Sequence, residues 1–113
     1  MLNLTLKLFG KQSRILIIST EVRGLDLVVN YIHYTTFKDA NLENANFKNA
    51  KLGYANFYLA NLTNVDLSGA DLRKAFLGNS DLSNANLEGA LLENAVLSNT
   101  ILKCINHPIC ENN

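Results

Sequence analysis

Residues 40–64 read ANLEN-ANFKN-AKLGY-ANFYL-ANLTN, and this uninterrupted period of five decides the fold. The same frame runs without insertion from Thr35 to Cys104, which makes fourteen blocks. Leu or Phe stands at the centre of every block, and the residue two places before the centre is Ala in ten blocks. Asn or Asp directly precedes the centre in eight blocks. A repeat this regular outweighs any local propensity for helix or strand.

A period of five excludes an ordinary helix and a flat strand. On an α-helix, five residues rotate the side chain by about 140° from the starting face, so successive leucines would spiral around the axis. In a flat strand, an odd step places successive leucines on opposite faces. The central residues share one interior only if the chain bends in every block and closes into a coil. The predicted core is therefore Phe37, Leu42, Phe47, Leu52, Phe57, Leu62, Leu67, Leu72, Leu77, Leu82, Leu87, Leu92, Leu97 and Leu102.

The A-[DN]-L-x-x pattern of these blocks resembles that of the pentapeptide-repeat family, most clearly in ANLEN, ANFKN, ANLTN, ADLRK and ANLEG. The resemblance implies an all-β fold, a right-handed quadrilateral β-helix with the Leu, Phe and Ala positions inside. The period alone leaves the number of blocks per turn open, although spacings of twenty, as between Tyr34 and Tyr54, favour four. Two weaker blocks extend the predicted β-helix to residues 25–104, which corresponds to about four coils.

The open edges of a stacked coil need covering, so both ends of the chain are predicted to act as caps. Residues 1–24 form the predicted N-terminal capping segment, in which alternating leucines favour a β-hairpin over an amphipathic helix. Residues 105–113 form the predicted C-terminal tail or cap. Cys104 and Cys110 are open to three interpretations, namely a disulfide, two free thiols, or zinc ligands together with His107. The absence of a secretory signal pattern favours free thiols.

The amino-acid composition limits the classes of partner that we expect this protein to bind. Ten basic and ten acidic residues cancel, and no basic excess marks a nucleic-acid binder. No apolar stretch approaches the roughly 20 residues that cross a bilayer, so we expect no membrane contact. The N-terminal segment alternates polar residues with leucines and does not resemble a secretory signal, and we therefore expect a cytoplasmic protein. No cofactor and no metal ion are expected.

Outward positions that are aromatic or aliphatic are the candidate interaction residues. With four blocks per turn, one edge is predicted to collect Tyr34, Tyr54, Tyr58, Leu59, Phe76 and Val96. Grouped exposed aromatic residues are typical of contact surfaces, although the cap or the tail folding over them is an equal alternative. Apolar residues also replace Asn or Asp before the centre in four late blocks, at Phe76, Leu91, Val96 and Ile101. This change predicts either cover by the tail or a homodimer through the C-terminal coil.

A rigid core, an aromatic edge and no converging catalytic groups favour a non-catalytic scaffold that binds a protein partner of unknown identity through a wall of the β-helix. An enzyme is not expected, because catalysis needs groups such as a nucleophile beside a base. The family resemblance adds two alternatives: a DNA-mimic inhibitor of DNA gyrase or topoisomerase of the quinolone-tolerance type, and a regulator of differentiation in cyanobacteria. A neutral chain lacks the dense negative surface that mimicry of duplex DNA requires.

Overall fold

The computed structural model of the chain describes residues 4–9, 12–17, 21–26, 28 and 32–111. Parts of the predicted cap and tail lie outside the described residues, namely residues 1–3, 10–11, 18–20 and 112–113. The central position Leu27 of the first weak block lies outside them as well.

Two antiparallel strands, β1 (Leu4–Phe9) and β2 (Gln12–Ile17), form a two-stranded sheet in the segment for which the sequence favours a hairpin. Their register runs from Leu4 opposite Ile17 to Phe9 opposite Gln12. Alternating apolar and polar residues suit such a ribbon because successive side chains of a strand point to opposite faces. The capping role of this segment stays a prediction.

In the described residues between Glu21 and Ile105, the backbone forms a β-helix solenoid whose sides are joined by isolated parallel bridges. Glu21 pairs with Asn41, Asn41 with Asn61, Asn61 with Asp81, and Asp81 with Ile101. Each step is twenty residues, so four blocks complete one turn. The coil already includes Val22, which is 1% exposed, and therefore begins before the predicted boundary between residues 24 and 25. Val22 stands fifteen residues before Phe37, in frame with the central positions.

Backbone hydrogen bonds follow the same period of five. Within a block, the amide of Ala45 donates to the carbonyl oxygen of Leu42 at 2.9 Å and closes a turn. Between coils, the amide of Leu42 donates to the Asn61 oxygen at 2.8 Å, and the amide of Asn61 donates to the Ala40 oxygen at 2.9 Å. Repetition of these bonds satisfies the polar backbone of a wall whose inner side is apolar, as burial requires.

The interior is a column of central side chains lined by small residues. Eleven of the predicted central residues, from Phe37 to Leu87, have no exposed surface, and the Ala positions between them are buried. Three rings form the widest part: Phe37 and Phe57 stack at 5.0 Å, and Phe47 meets both edge-on. The three remaining central residues, Leu92, Leu97 and Leu102, pack against this core but are only partly buried. They belong to the last coil, which has another full coil on one side only.

The tail closes the C-terminal end by leaving the regular frame. Asn86 pairs with Ile105, nineteen residues away, because the last side of the coil is one residue short. Cys104 thereby occupies a buried position and forms a disulfide with Cys110, so the expectation of free thiols is wrong. The short loop places the two sulfurs within bonding reach. The amide of Glu111 donates to the Leu102 oxygen, and Ile109 packs against the core.

Candidate functional site

Each corner of the coil is a tight turn whose chemistry explains the Asn and Asp of the repeat. The side chain before the centre accepts a hydrogen bond from the amide two residues later, as Asn56 does from Tyr58 at 2.9 Å. Asp66 does the same for Ser68 at 2.9 Å. Two residues after the centre, the backbone has a φ near +60°, as at Asn44 and Asn64. Asn and Gly accept this left-handed conformation at little cost, and most other residues do not.

Bulky residues stand at several of these left-handed positions. Tyr34, Tyr54 and Leu59 have φ values of 61°, 59° and 60°, and they are 54%, 39% and 49% exposed. Lys74, with a φ of 63°, continues the column of the two tyrosines in the next coil. A left-handed conformation costs such residues about 1–2 kcal/mol each. Backbone strain at residues whose side chains are exposed to water, and so gain little from packing, is an indication of function.

Tyr34, Tyr54 and Lys74 form a ladder along one corner. The two rings are parallel, with centroids 4.8 Å apart, and the Lys74 amine lies 5.3 Å from the centroid of the Tyr54 ring. The polar contact with the Tyr54 side chain raises the pKa of Lys74 above the ordinary value for lysine. The amine is therefore charged at neutral pH beside an aromatic face, which is a favourable arrangement.

A surface depression of about 400 Å³ lies beside this ladder and is lined by His33, Gly53, Asp71 and Arg73 as well. Gly53 forms its floor. The backbone of Gly53 has no positive φ, so its conformation does not require glycine. The limited space around it favours glycine, because a β-carbon there would lie 3.0 Å from His33 Cδ2, closer than most β-carbons approach other atoms.

Arg73 is held rigidly on the rim of the depression. Its Nε donates to Asp71 Oδ1 at 2.9 Å, and its Nη2 donates to Asp71 Oδ2 at 2.8 Å. These hydrogen bonds lower the pKa of the Asp71 carboxyl and keep it ionised. The Arg73 side chain remains 55% exposed, whereas that of Asp71 is only 12% exposed. A bidentate pair of this kind fixes the plane of the guanidinium.

A second depression, of about 290 Å³, is lined by Lys38, Asn56, Tyr58 and Phe76. The Lys38 amine lies 5.8 Å from the centroid of the Tyr58 ring. The Tyr58 ring extends over Gly78, where a β-carbon would lie 3.4 Å from Tyr58 Cδ2. A β-carbon at that distance would make an ordinary van der Waals contact, so the Tyr58 ring does not exclude a side chain at position 78.

The six residues of the predicted edge are all exposed, and they fall into two groups. Tyr34 and Tyr54 belong to the first depression, and Tyr58 and Phe76 to the second. Leu59 follows Tyr58 at the next corner, and Val96 pairs with Phe76 in the adjoining coil. Sequence reasoning missed the charged and glycine residues of the first depression, His33, Gly53, Asp71, Arg73 and Lys74. The sequence nevertheless holds a signal that could have identified them. At a spacing of twenty, residue 33 aligns with residues 53 and 73, and residue 34 aligns with residues 54 and 74.

The apolar residues near the C-terminus do not form one patch on one side. Leu91, Val96, Ile101 and Ile105 pair with four different residues of the preceding coil, one on each side, and are 41%, 40%, 45% and 44% exposed. The tail covers part of the coil end through His107, whose Nε2 lies 3.2 Å from the Ala90 oxygen. Ile109 donates its amide to His107 Nδ1 at 3.3 Å, so Nε2 carries the proton that Ala90 accepts. The homodimer through this coil stays a prediction.

Two further findings concern ligands and membranes. Among the described residues, no group of three or more His, Cys, Asp and Glu side chains is arranged to hold a metal ion. That part of the chain also has no helix long and apolar enough to span a bilayer.

The strained corner at Leu59 gives the first test. Leu59→Asn is expected to raise the free energy of unfolding by about 1 kcal/mol, because asparagine accepts the positive φ with less strain and Leu59 is half exposed. The matched reverse change, Asn64→Leu at a φ of 60°, is expected to lower it by a similar amount. Urea denaturation followed by circular dichroism measures both changes. A loss of stability in Leu59→Asn would show that packing of leucine outweighs the strain.

The family model for pentapeptide repeats matches residues 40–79 and 80–104, with eight copies of the repeat. None of the curated protein sequences is significantly similar to the chain. A solved pentapeptide repeat protein from the Arabidopsis thaliana thylakoid lumen is 36% identical over 74% of this chain, with a TM-score of 0.48. The present chain covers 62% of the length of that protein.

Two other solved structures are similar over a comparable part of the chain. HetL, a pentapeptide repeat protein involved in heterocyst differentiation regulation in the cyanobacterium Nostoc sp. strain PCC 7120, is 29% identical. It aligns with 75% of this chain and 46% of its own, with a TM-score of 0.29. QnrB1, a plasmid-mediated fluoroquinolone resistance protein, is 19% identical over 71% of this chain and 54% of its own, with a TM-score of 0.33.

The expectation of a cytoplasmic protein is wrong. The Arabidopsis protein, at 36% identity, is a protein of the thylakoid lumen, which is not the cytoplasm.

Proposed function

The chain belongs to the pentapeptide-repeat family, and from this premise we propose that it is a non-catalytic scaffold that binds a protein partner through one wall of its β-helix. The proposal includes a right-handed coil of about four turns, which provides a rigid rod with four flat sides. A rod whose core is filled has few ways to act other than through its surface. The partner is a protein because the exposed features of the wall are aromatic and aliphatic side chains.

One observation carries this proposal. On one wall Tyr58 and Phe76 line a depression and are 39% and 46% exposed. At the adjoining corner, where seven blocks between Thr35 and Cys104 have Asn and two have Gly, Leu59 has a strained left-handed φ of 60° and is 49% exposed. A protein under selection for stability alone gains from Asn at such positions. Large rigid side chains exposed at a fixed spacing are the anchors that protein interfaces use.

Catalysis is not proposed, because four of the titratable groups of the described residues are engaged in hydrogen bonds of the turns and the tail. Asp66 and Asp81 each accept hydrogen bonds from the amide and the hydroxyl of a serine two residues later. Asp71 is engaged by Arg73, and His107 by the Ala90 oxygen and the Ile109 amide. None of these pairs combines a nucleophile with a base in a cavity, which is what covalent catalysis needs.

Mimicry of duplex DNA is the weaker proposal. It would need a dense negative surface with the spacing of phosphates. Ten acidic residues are balanced by ten basic ones in this chain, and the two depressions contain Lys38, Arg73 and Lys74. Because the two depressions carry these positive charges, the surface is a poor imitation of a polyanion such as DNA.

The test is affinity capture from the native host with the wild-type chain and the double variant Tyr58→Asp/Phe76→Asp. Carboxylates at these two exposed positions are expected to abolish capture of a specific partner, because buried interface anchors commonly contribute 2 kcal/mol or more each. Ile101→Asp is the matched control, since Ile101 is 45% exposed and Phe76 46%, at the same position of the block. Circular dichroism verifies that all variants fold.

Capture that is lost in the double variant and retained in Ile101→Asp would support the wall as the binding surface. Equal capture by the wild type and the double variant would contradict it. Loss in both variants would contradict it as well, because the effect would then not depend on the aromatic wall.

A further inference from the structure

We propose that the depression beside Tyr34, Tyr54 and Lys74 is a docking site for a carboxylate of an acidic protein segment. The inference deepens the proposed scaffold function and rests on it for the class of partner. It concerns a different surface feature from the depression of Tyr58 and Phe76.

Shape is the first argument. Gly53 makes the floor, and its backbone conformation does not call for glycine, so the missing side chain is a matter of space. The position belongs to the column of His33 and Arg73, one coil away on either side. A β-carbon at 53 would lie 3.0 Å from His33 Cδ2 and 3.6 Å from the backbone oxygen of Arg73, so the His33 ring would have to shift to admit a side chain there. The absence of a side chain at 53 thus lets the His33 ring lie along the wall beside the depression, which keeps its present shape only with glycine at this position.

The second argument is the arrangement of hydrogen-bond donors. A guanidinium has five N–H donors, and the bidentate contact with Asp71 uses one on Nε and one on Nη2. The remaining hydrogens point along the other edges of a group that is 55% exposed. Lys74 adds an ammonium with three N–H donors on the same rim. Donors therefore dominate the opening, and an acceptor with two oxygens is the group that matches an arginine edge.

Charge is the third argument and favours a carboxylate over a phosphate. Arg73 and Lys74 line the depression together with Asp71, while Glu93 acts on Arg73 and Lys51 acts on Asp71, and these five groups leave one positive charge in excess. One carboxylate neutralises that excess, whereas a phosphate with nearly two negative charges would exceed it beside Asp71. The parallel tyrosine rings next to the cations offer an apolar edge to the carbon chain of a glutamate.

The experiment is a titration of the isotope-labelled full chain, followed by the amide shifts of Gly53, Tyr54, Arg73 and Lys74. The probe is an N-acetylated, C-amidated pentaglutamate peptide, with the equivalent pentalysine peptide and inorganic phosphate as separate arms. We expect saturable shifts at the four amides with pentaglutamate, with a dissociation constant in the millimolar range. Raising the salt concentration from about 0.01 to 1 M is expected to weaken binding several-fold, because the site is exposed.

Lys74→Glu is expected to weaken pentaglutamate binding at least tenfold, because it turns an attraction at contact distance into a repulsion. Lys48→Glu is the matched control. It makes the same change of net charge at an exposed residue that does not line the depression. Binding by this control within twofold of the wild type is the expected result, and circular dichroism verifies both folds.

Four results would overturn the inference: no binding of pentaglutamate, equal weakening in both variants, saturable shifts at the same amides with pentalysine, or saturation by phosphate without any shift from pentaglutamate. The last would mean that the site takes small anions and not a protein carboxylate. The capture experiment with Tyr58→Asp/Phe76→Asp is read separately. If pentaglutamate fails to bind while capture still depends on the wall, only the present inference is contradicted. If pentaglutamate binds as expected while capture does not depend on the wall, only the proposed function is contradicted.

Discussion

Phe57→Ala is expected to lower the free energy of unfolding by about 3–5 kcal/mol. Phe57 has no exposed surface, lies parallel to Phe37 at 5.0 Å and meets Phe47 edge-on at 5.9 Å. Removal of the ring leaves a cavity in the middle of the column and ends both aromatic contacts. The backbone cannot collapse into the gap, because each coil is held by hydrogen bonds at the spacing of its neighbours.

Phe76→Ala is the matched control, since it removes the same ring from a position that is 46% exposed. We expect a loss of about 1–1.5 kcal/mol, because only about half of the ring is withdrawn from water in the folded chain. Urea denaturation measures the two changes in the free energy of unfolding. The same dependence of that free energy on urea concentration is used for the wild type and both variants. Similar losses in the two variants would mean that the Phe57 ring contributes no more than a surface ring, and the packing account of the core would be wrong.

Leu67→Asn is expected to lower the free energy of unfolding by about 3–6 kcal/mol. Leu67 is fully buried, and its loss removes about 2–3 kcal/mol of apolar burial. The new amide would lie among leucine and alanine side chains, where an unsatisfied polar group costs about 1–3 kcal/mol more. Asparagine is common one residue earlier in the repeat, so the change tests the position and not the residue type.

Asp66→Leu is the paired control at that earlier position. It removes the hydrogen bonds that the Asp66 carboxylate accepts from the amide and the hydroxyl of Ser68. We expect a loss of about 1–2 kcal/mol, typical of a lost turn cap. The chain already tolerates apolar residues there at Phe76 and Leu91. The midpoint temperature of thermal unfolding should therefore be clearly lower for Leu67→Asn than for Asp66→Leu. The opposite order of the two midpoints would contradict the assignment of inner and outer positions.

The sequence predicted the interior well because, with a period of five, the central residues share one interior only if the chain bends in every block. Spacings of twenty already indicated four blocks per turn, and the parallel bridges follow that step. The missed element was the start of the coil, since Val22 lies in frame but its block lacks the Ala and Leu of the later ones. The three last central residues were placed in the core, and their partial exposure follows from the end of the stack.

The surface was less predictable, because a wall position acquires its meaning from residues twenty places away. Gly53 has no distinctive neighbours in sequence, yet in the coil it opens the space into which His33 extends. Arg73 and Lys74 read as scattered charges along the chain. Stacking brings Lys74 to the Tyr54 ring, whereas Arg73 pairs with Asp71 two residues earlier in the same block.

The sequence by itself determined the coil, its inner and outer positions and the turn chemistry, because these repeat every five residues and depend on local sterics and burial. Only the tertiary structure decided which outer residues meet. It divided the predicted edge into two depressions, showed the strained φ at Tyr34, Tyr54 and Leu59, and joined Cys104 to Cys110 through a shortened last side. The physical reason is that contacts between coils depend on side chains of different blocks, whereas the period that forms the coil is the same in all of them.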